Sequence, residues 1–378
     1  MSKENFLHEI IKGSYACAVE ISINKRRIGT GHSAYIIAEM SANHGHDKGK
    51  AKEIIHAMKE SGADAIKLQT YTPDTITINC RNAYFVDCLK GTLWEGKTLY
   101  ELYGEAYTPW EWQRELKDLA ESLGMDCFST PFDDTAVDFL EEMNVPAYKV
   151  ASFEIVHLPL IRKIAKIGKP MIISTGMATQ EEITEALDAA RSCGAKDIAL
   201  LKCTSAYPAK IEDANLLTIP DMMKRFGVPV GLSDHTPGSA VPVTAVLQGA
   251  CIIEKHFVLD RERDKGPDSA FSMEPQEFRA MVDQIRAAER DPASATITHE
   301  ALGTMQYGPA GGQKGSVVFR PSLFVIADMK MGEIFTEKNV KITRPGYGLL
   351  PKHLPEVLGK HAAKDIARGT PVSVDLVT

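Results

Sequence analysis

Two short segments concentrate the residue types that chemistry needs: Gly231-Leu232-Ser233-Asp234-His235-Thr236 and, one segment later, Ile253-Glu254-Lys255-His256-Phe257. Each closes an apolar run, Val228-Pro229-Val230-Gly231-Leu232 in the first and Ala250-Cys251-Ile252-Ile253 in the second. Side chains alternate faces along a strand, so Ser233 and His235 share one side, and Glu254 and His256 share one side. Two imidazoles at the ends of adjacent parallel strands reach one divalent cation and leave its other positions open to a substrate. A lone histidine near a core is more often a satisfied polar residue. Two at matching strand ends, with carboxylates nearby, point to metal binding or catalysis.

Other apolar runs also end in reactive types. Glu39 closes one, with Asn43-His44 beyond it, and Lys67 and Gln69 share a face of the next. Further along come Ser129-Thr130-Pro131-Phe132-Asp133, Lys149 with Ser152 and Glu154, Ser174-Thr175-Gly176, and Lys202-Cys203-Thr204-Ser205-Ala206-Tyr207. A lysine inside an apolar strand is costly unless it is paired. Lys67 and Lys149 therefore need either Glu39 and Glu254 or an anionic substrate, and the residues alone leave both open. Two lysines, several hydroxyls and a metal suit a phosphate beside a carboxylate. The chain has no Gly-x-Ser-x-Gly elbow, phosphate-binding P-loop or HExxH pair, so acyl transfer, nucleotide hydrolysis and zinc proteolysis lack support.

Composition sets the outer bounds. The 378 residues are 44% hydrophobic and 25% charged, with a net charge of -7. That is an ordinary globular composition, and the acidic balance argues against a nucleic-acid surface. The seven cysteines form no CxxC pair, and several lie in apolar runs, which fits reduced thiols in the cytoplasm. Glu4, Glu9 and Lys12 interrupt any signal-like apolar core, and no run approaches the ~20 apolar residues of a spanning helix. The expectation is a cytoplasmic protein without a membrane or nucleic-acid partner.

The elements that must position these side chains follow a rhythm. Eight short β-rich runs occur at 35–40, 63–68, 125–128, 147–150, 170–173, 197–201, 228–232 and 250–253. Amphipathic stretches such as 50–61, 111–124, 135–143, 158–167 and 179–194 lie between them, with Gly62, Gly124, Gly168, Gly194 and Gly249 at the expected helix ends. Such alternation implies an α/β fold, a (β/α)8 TIM barrel over 35–290, with a doubly wound open sheet as the alternative. No Gly-rich dinucleotide turn follows the first strand, which disfavours the open sheet. Residues 1–34 read as a polar hairpin (16–23 and 27–31 around Asn24-Lys25) capping the barrel bottom. Residues 291–314 read as a linker and 315–378 as a small β-rich module, with strands at 317–319, 323–327, 340–342 and 371–376. The interval 70–108 is too long for an ordinary βα connection and lies over the catalytic face of such a barrel. Its Tyr71, Tyr84, Trp94, Tyr100, Tyr103 and Tyr107 either stack on a sugar or pack the loop.

At this level of detail the sequence resembles the sialic acid synthase family. The matching segments are IAEMSANHG (37–45), KLQTY (67–71), FSTPFD (128–133), YKVASFEI (148–155), ISTGMA (173–178), LLKCTSAYP (200–208), GLSDHT (231–236) and EKHF (254–257). FRPSLF (319–324) and RPGYGL (344–349) are similar to the family's antifreeze-like (SAF) module. YTPDTITI (71–78), EAYTPWEW (105–112) and DSAFS (268–272) are most similar to its pseudaminic acid synthase branch.

The resemblance implies condensation of phosphoenolpyruvate with a 2,4-diacetamido-2,4,6-trideoxy-altrose and water, giving a nine-carbon 2-keto acid and phosphate. It implies that His235 and His256 hold a divalent ion, Mn2+ first and Mg2+ or Co2+ otherwise, that polarises the open-chain aldehyde. Lys67, Thr130, Lys149, Ser152, Ser174, Ser205 and Ser233 would cradle the enol phosphate, and Glu39 would position or deprotonate the water attacking C2. Gln69, Glu154, Tyr207, Glu254 and Asp268 would complete the substrate site. Arg320 would arrive from the small domain of the other subunit of a domain-swapped homodimer. Two departures stand out: Ser205 replaces the usual Asn, and Pro321 replaces a basic residue. The alternatives are an N-acetylneuraminate or legionaminate synthase, a metal-dependent aldolase or hydrolase, and a sugar- or ice-binding protein suggested by the tail.

Overall fold

The computed structural model describes residues 19–92, 94–309 and 311–378. Its centre is a closed barrel of eight parallel strands: β3 (Tyr35–Glu39), β4 (Ala65–Thr70), β5 (Asp126–Pro131), β6 (Tyr148–Val150), β7 (Met171–Ser174), β8 (Ile198–Cys203), β9 (Val230–Asp234) and β10 (Ile252–His256). The strands pair in sequence order, and β10 closes on β3 with His256 opposite Glu39. This is the closed (β/α)8 arrangement and not the open sheet. The strands are almost wholly buried because helices cover them outside and side chains fill them inside. Amphipathic helices such as Lys48–Glu60, Trp110–Ser122, Leu158–Ile167 and Gln180–Ser192 connect them. Gly168, at φ 79°, ends the third of these in the left-handed conformation that favours glycine.

Before the barrel, β1 (Glu20–Ile23) and β2 (Arg26–Gly29) form a hairpin whose turn residues Asn24 and Lys25 have φ of 44° and 68°. Arg26 pairs with Asp64, and Asn24 donates to Asp126. Both aspartates stand where β4 and β5 begin, so the hairpin lies against the end of the barrel away from the strand tips. Residues 16–18 of the expected hairpin lie outside the described residues.

The oversized interval after β4 folds into short helices, Pro73–Ile76, Ala83–Val86 and Leu99–Ala106. The first and last begin with reciprocal caps, Thr72 with Thr75 and Thr98 with Glu101. Tyr71, Phe85, Leu99 and Leu102 form a second apolar core with Phe319 and Phe324 from the C-terminal module. The module contains one antiparallel pair, β11 (Ser322–Val325) with β12 (Val340–Thr343). Two expected strands are absent: 311–319 is a 3₁₀ helix and Val374–Leu376 a single 3₁₀ turn. Apolar β-branched residues in runs this short fit either state, and tertiary contact decided. Among the described residues no helix is long and apolar enough to cross a membrane.

Candidate active site

The strand tips and the two insertions enclose a cavity of about 970 Å³, counting its open mouth. Its floor carries Lys67, Gln69, Lys149, Ser152, Ser174, Cys203, Ser233, His235, Glu254 and His256. Tyr207, Asp268 and Ser41 stand at one side, and Tyr71, Trp94, Tyr103, Phe132, Phe153, Phe319 and Arg344 form the opposite wall and roof. The two histidines are on one face, their ring centroids 5.3 Å apart. His235 Nδ1 lies 3.0 Å from the Thr204 carbonyl, which leaves Nε2 toward the cavity, while His256 Nδ1 has no partner among the described residues. Phe271 packs against both rings, at 5.8 and 4.9 Å.

A buried pair sits behind them. Lys255 donates to Asp234 and to the Thr236 carbonyl, and Asp234 accepts from the Thr236 amide and hydroxyl. Lys255 and Asp234 point away from the cavity because each sits between two residues that point into it. The pair ties the two histidine-bearing strand tips together.

Four charges meet on the cavity floor. Lys67 Nζ lies 2.6 Å from Glu39 and 2.9 Å from Glu254, and Lys149 Nζ lies 3.7 Å from Glu254. Lys149 also donates to Ser174 Oγ at 2.6 Å, and Ser233 donates to Glu254 at 2.9 Å. Both carboxylate partnerships that the sequence left open are thus present within the chain. Burial, reinforced by the Lys149 charge, pushes Lys67 down to about 8, against the pull of Glu254. Burial would raise Glu254, but Lys149, Lys67 and the Ser233 hydroxyl hold it well below the usual carboxylate range. Burial likewise would raise the Cys203 thiol, which His235, Ser152 and Lys149 hold down at about 6.

The remaining expected residues divide. Glu39 is fully buried beneath the cavity and accepts from the Ser41 amide at 2.9 Å and Gln69 at 3.5 Å. Asp268 accepts from the Ser41 hydroxyl, and burial raises its carboxyl. The Tyr207 ring packs against His235 at a tilt of 58°, with centroids 4.6 Å apart. Thr130 and Ser205 are buried behind the lining; Thr130 Oγ1 has no partner, and the Ser205 amide donates to Gln313 of the linker. Gly176 brings Ser152 and Ser205 together. A Cβ there would stand 2.2 Å from Ser205 Oγ and 2.8 Å from Ser152 Oγ.

Arg320, expected to reach the site of the other subunit, does not line the cavity of its own chain. Its guanidinium is bound to both oxygens of Glu182, at 2.8 and 2.9 Å, and to the Met177 carbonyl. The chain direction explains it: Phe319 faces the cavity, so its neighbour turns outward onto the helix that begins near Thr179. Arg344 reaches the cavity instead. It donates to Glu154 Oε1 at 2.5 and 3.0 Å and to Tyr103 at 3.1 Å, and lies 4.7 Å over Phe153 and 5.3 Å over Phe132. Burial raises the Glu154 carboxyl, and Arg344 opposes that rise. In the sequence Arg344 marks only a turn, and nothing in its spacing indicates an active-site role. Of the loop aromatics, Tyr71, Trp94 and Tyr103 line the cavity. Tyr84 packs on Tyr347 and Phe324, Tyr100 on Asp74, and Tyr107 on His46.

A parallel barrel with paired imidazoles, two buried lysines and carboxylates at the strand tips is the arrangement of a barrel enzyme acting on a small anionic substrate. Comparison with known proteins narrows the class. The NeuB family profile matches residues 54–295 and the SAF domain profile residues 320–378. The chain is 47% identical to the pseudaminic acid synthase of Helicobacter pylori, covering 90% of this chain and 96% of that one. It is 45% identical to that of Campylobacter jejuni and 35% identical to the N,N'-diacetyllegionaminic acid synthase of Legionella pneumophila, again over 90% of this chain. The crystal structure of a Bacillus subtilis spore coat polysaccharide biosynthesis protein superposes with a TM-score of 0.82 at 30% identity, covering 95% of this chain and 99% of that one. The chain belongs to the NeuB family and carries a C-terminal SAF domain.

Proposed function

We propose that the chain is a pseudaminic acid synthase, joining phosphoenolpyruvate to 2,4-diacetamido-2,4,6-trideoxy-altrose with water and releasing phosphate. The observation that carries this reading is the 47% identity, over nine-tenths of the chain, to the H. pylori enzyme of that name. The cavity supports it. Lys149, Ser174, Ser152 and the Gly176 amide converge on one end of the floor, a set of donors suited to a phosphate. Lys67 stands between Glu39 and Glu254 and moves its charge to the substrate carboxylate when the anion enters. Glu39, held by the Ser41 amide, orients the water that adds at C2 of the enol-derived cation and takes its proton. The tetrahedral adduct then loses phosphate by C–O cleavage, its charge met by the lysines. At the other end Glu154, Arg344, Asp268 and Tyr207 bind the open-chain sugar.

His235 and His256 fit a divalent ion, Mn2+ by preference. A cation about 2.1 Å from one nitrogen of each ring separates the centroids by roughly 5 Å, near the 5.3 Å found. Among the described residues no group of three His, Cys, Asp or Glu side chains gathers to hold a metal, so substrate and water would supply the other ligands. When bound, the ion polarises the sugar aldehyde toward attack by the enol carbon. The assembly we propose is a homodimer in the cytoplasm, where the six described cysteines, all free, remain reduced.

The deciding experiment measures phosphate release from phosphoenolpyruvate against a panel of acetamido sugars. Turnover with the altrose derivative, well above N-acetylmannosamine and the legionaminate precursor, is expected. No turnover with it removes the proposal.

Two further results are expected. Lys67 loses its charge as pH rises through about 8, so kcat/KM for phosphoenolpyruvate should fall toward tenfold per pH unit above that point. Over the same window the folded state gains stability, because its lysine releases a proton that the unfolded chain still holds. A flat profile up to pH 10 excludes Lys67 as the carrier of that charge. Gly176→Ala should raise KM for phosphoenolpyruvate by about 10- to 100-fold while moving KM for the sugar little, since its methyl displaces the Ser152 and Ser205 hydroxyls. Initial-rate kinetics with each substrate varied in turn would check this.

A further inference from the structure

Trp94 belongs to the oversized loop, lines the cavity, and takes part in no step described so far. Its indole Nε1 is buried and has no hydrogen-bond partner among the described residues. Nine other side-chain atoms among the described residues share that condition: five belong to Glu39, Thr130, Glu154, Glu254 and His256, already assigned to substrates or metal, and four to Gln248, Asp264 and Arg320, which do not line the cavity. An indole nitrogen only donates, and a buried donor without an acceptor is costly. Its partner is therefore sought in what enters the cavity.

The surroundings say which part of the substrate that is. Arg344 sits on Glu154 and over Phe153, and Phe153 meets Phe319 at 5.9 Å. Phe319 in turn meets Trp94 edge-on at 6.2 Å. This series lies in the wall and roof, across the cavity from the strand-tip floor that carries the two histidines. The outer end of the cavity thus presents one neutral donor set among apolar rings. A hydroxyl-rich sugar end would leave those rings against polar groups. An acetamido group matches them, its carbonyl oxygen accepting from the indole and its methyl lying against Phe319.

We infer that Trp94 recognises the acetamido group at C4 of the sugar through an Nε1–H to carbonyl hydrogen bond, and that it is a specificity-determining residue. This rests on the altrose derivative being the substrate. A hydroxyl at C4 is too short to reach the indole and leaves the buried donor unmatched, the condition under which a polar site rejects an analogue.

The test compares wild type and Trp94→Phe on two sugars, 2,4-diacetamido-2,4,6-trideoxy-altrose and its analogue bearing a hydroxyl at C4. Phenylalanine keeps an aromatic ring beside Phe319 and removes only the donor. On the diacetamido sugar, kcat/KM should fall roughly tenfold, through KM, with kcat and KM for phosphoenolpyruvate unchanged. On the 4-hydroxy analogue the two proteins should be equal. Because both sugars are assayed on one preparation, the ratio is independent of the folded fraction. An unchanged preference, or an equal loss on both sugars, overturns the inference. If wild type does not turn over the diacetamido sugar at all, the functional reading fails first and takes this inference with it. Wild-type turnover with an indifferent variant sinks the inference alone.

Discussion

Arg344→Ala should lower kcat/KM for the sugar by about 100- to 1000-fold while leaving KM for phosphoenolpyruvate nearly unchanged. Arg344 is buried, and both of its contacts to Glu154 go to one oxygen. Removing it leaves a buried carboxylate without its ion-pair partner, a change that typically costs about 3–5 kcal/mol. Glu154 would answer by taking a proton, since burial already raises its carboxyl and Arg344 is what opposes that rise. A protonated Glu154 is a poorer acceptor for sugar hydroxyls, so the loss falls on the sugar. Arg344→Lys keeps the charge without the planar fork and should recover only about tenfold of the loss. Equal sugar kinetics in Arg344→Ala and wild type would remove Arg344 from the site.

The same variant decides where the C-terminal module acts. Each module supplies Arg344 and Phe319 to a cavity whose histidines come from a barrel. Mixing Arg344→Ala subunits with His256→Ala subunits separates two arrangements. If modules are exchanged within a dimer, a mixed dimer contains one barrel with both histidines capped by an intact arginine, and activity returns. If each module covers its own barrel, no mixed dimer has a complete site, and the mixture stays inactive.

Periodicity made the barrel legible. Runs buried on both faces and alternating with amphipathic stretches have few folds available, and the strand tips then locate Lys67, Lys149, His235 and His256 together. What the sequence hid lies in the insertions. Arg344 precedes a Pro-Gly turn, and Trp94 sits in a short stretch between Gly91 and Gly96, so neither shows a period that would reveal which way it points. Arg320 illustrates the same limit: only the family resemblance gave it a role, in the site of the other subunit, and within its own chain it pairs with Glu182. Direction at a loop is set by tertiary packing, here the apolar core that the 70–108 interval shares with Phe319 and Phe324. The expected strand at 317–319 failed for the same reason, because Phe319 belongs to that core and not to a sheet.

His256→Ala should abolish measurable Mn2+ binding and reduce kcat by about 1000-fold or more. The expectation follows from how few protein ligands there are. A site held by three side chains keeps part of its affinity when one is lost, whereas in the proposed two-imidazole site one ring is half of the protein's hold. The fold should survive, because burial and the neighbouring His235 push His256 well below its ordinary range, so the ring is neutral and its removal strands no charge. What is lost is contact with Phe271, 4.9 Å away, worth about 1–2 kcal/mol for a partly filled gap. Two measurements separate these effects. Without metal, the variant should melt within a few degrees of wild type. At Mn2+ a hundredfold above the wild-type Kd, wild type should gain roughly 2.7 kcal/mol and the variant nothing. Electron paramagnetic resonance of free Mn2+ reports the same loss without reference to turnover. A variant that retains both the thermal gain and the resonance change would show that the cation is held elsewhere, and the pairing of imidazoles across β9 and β10 would then need another purpose.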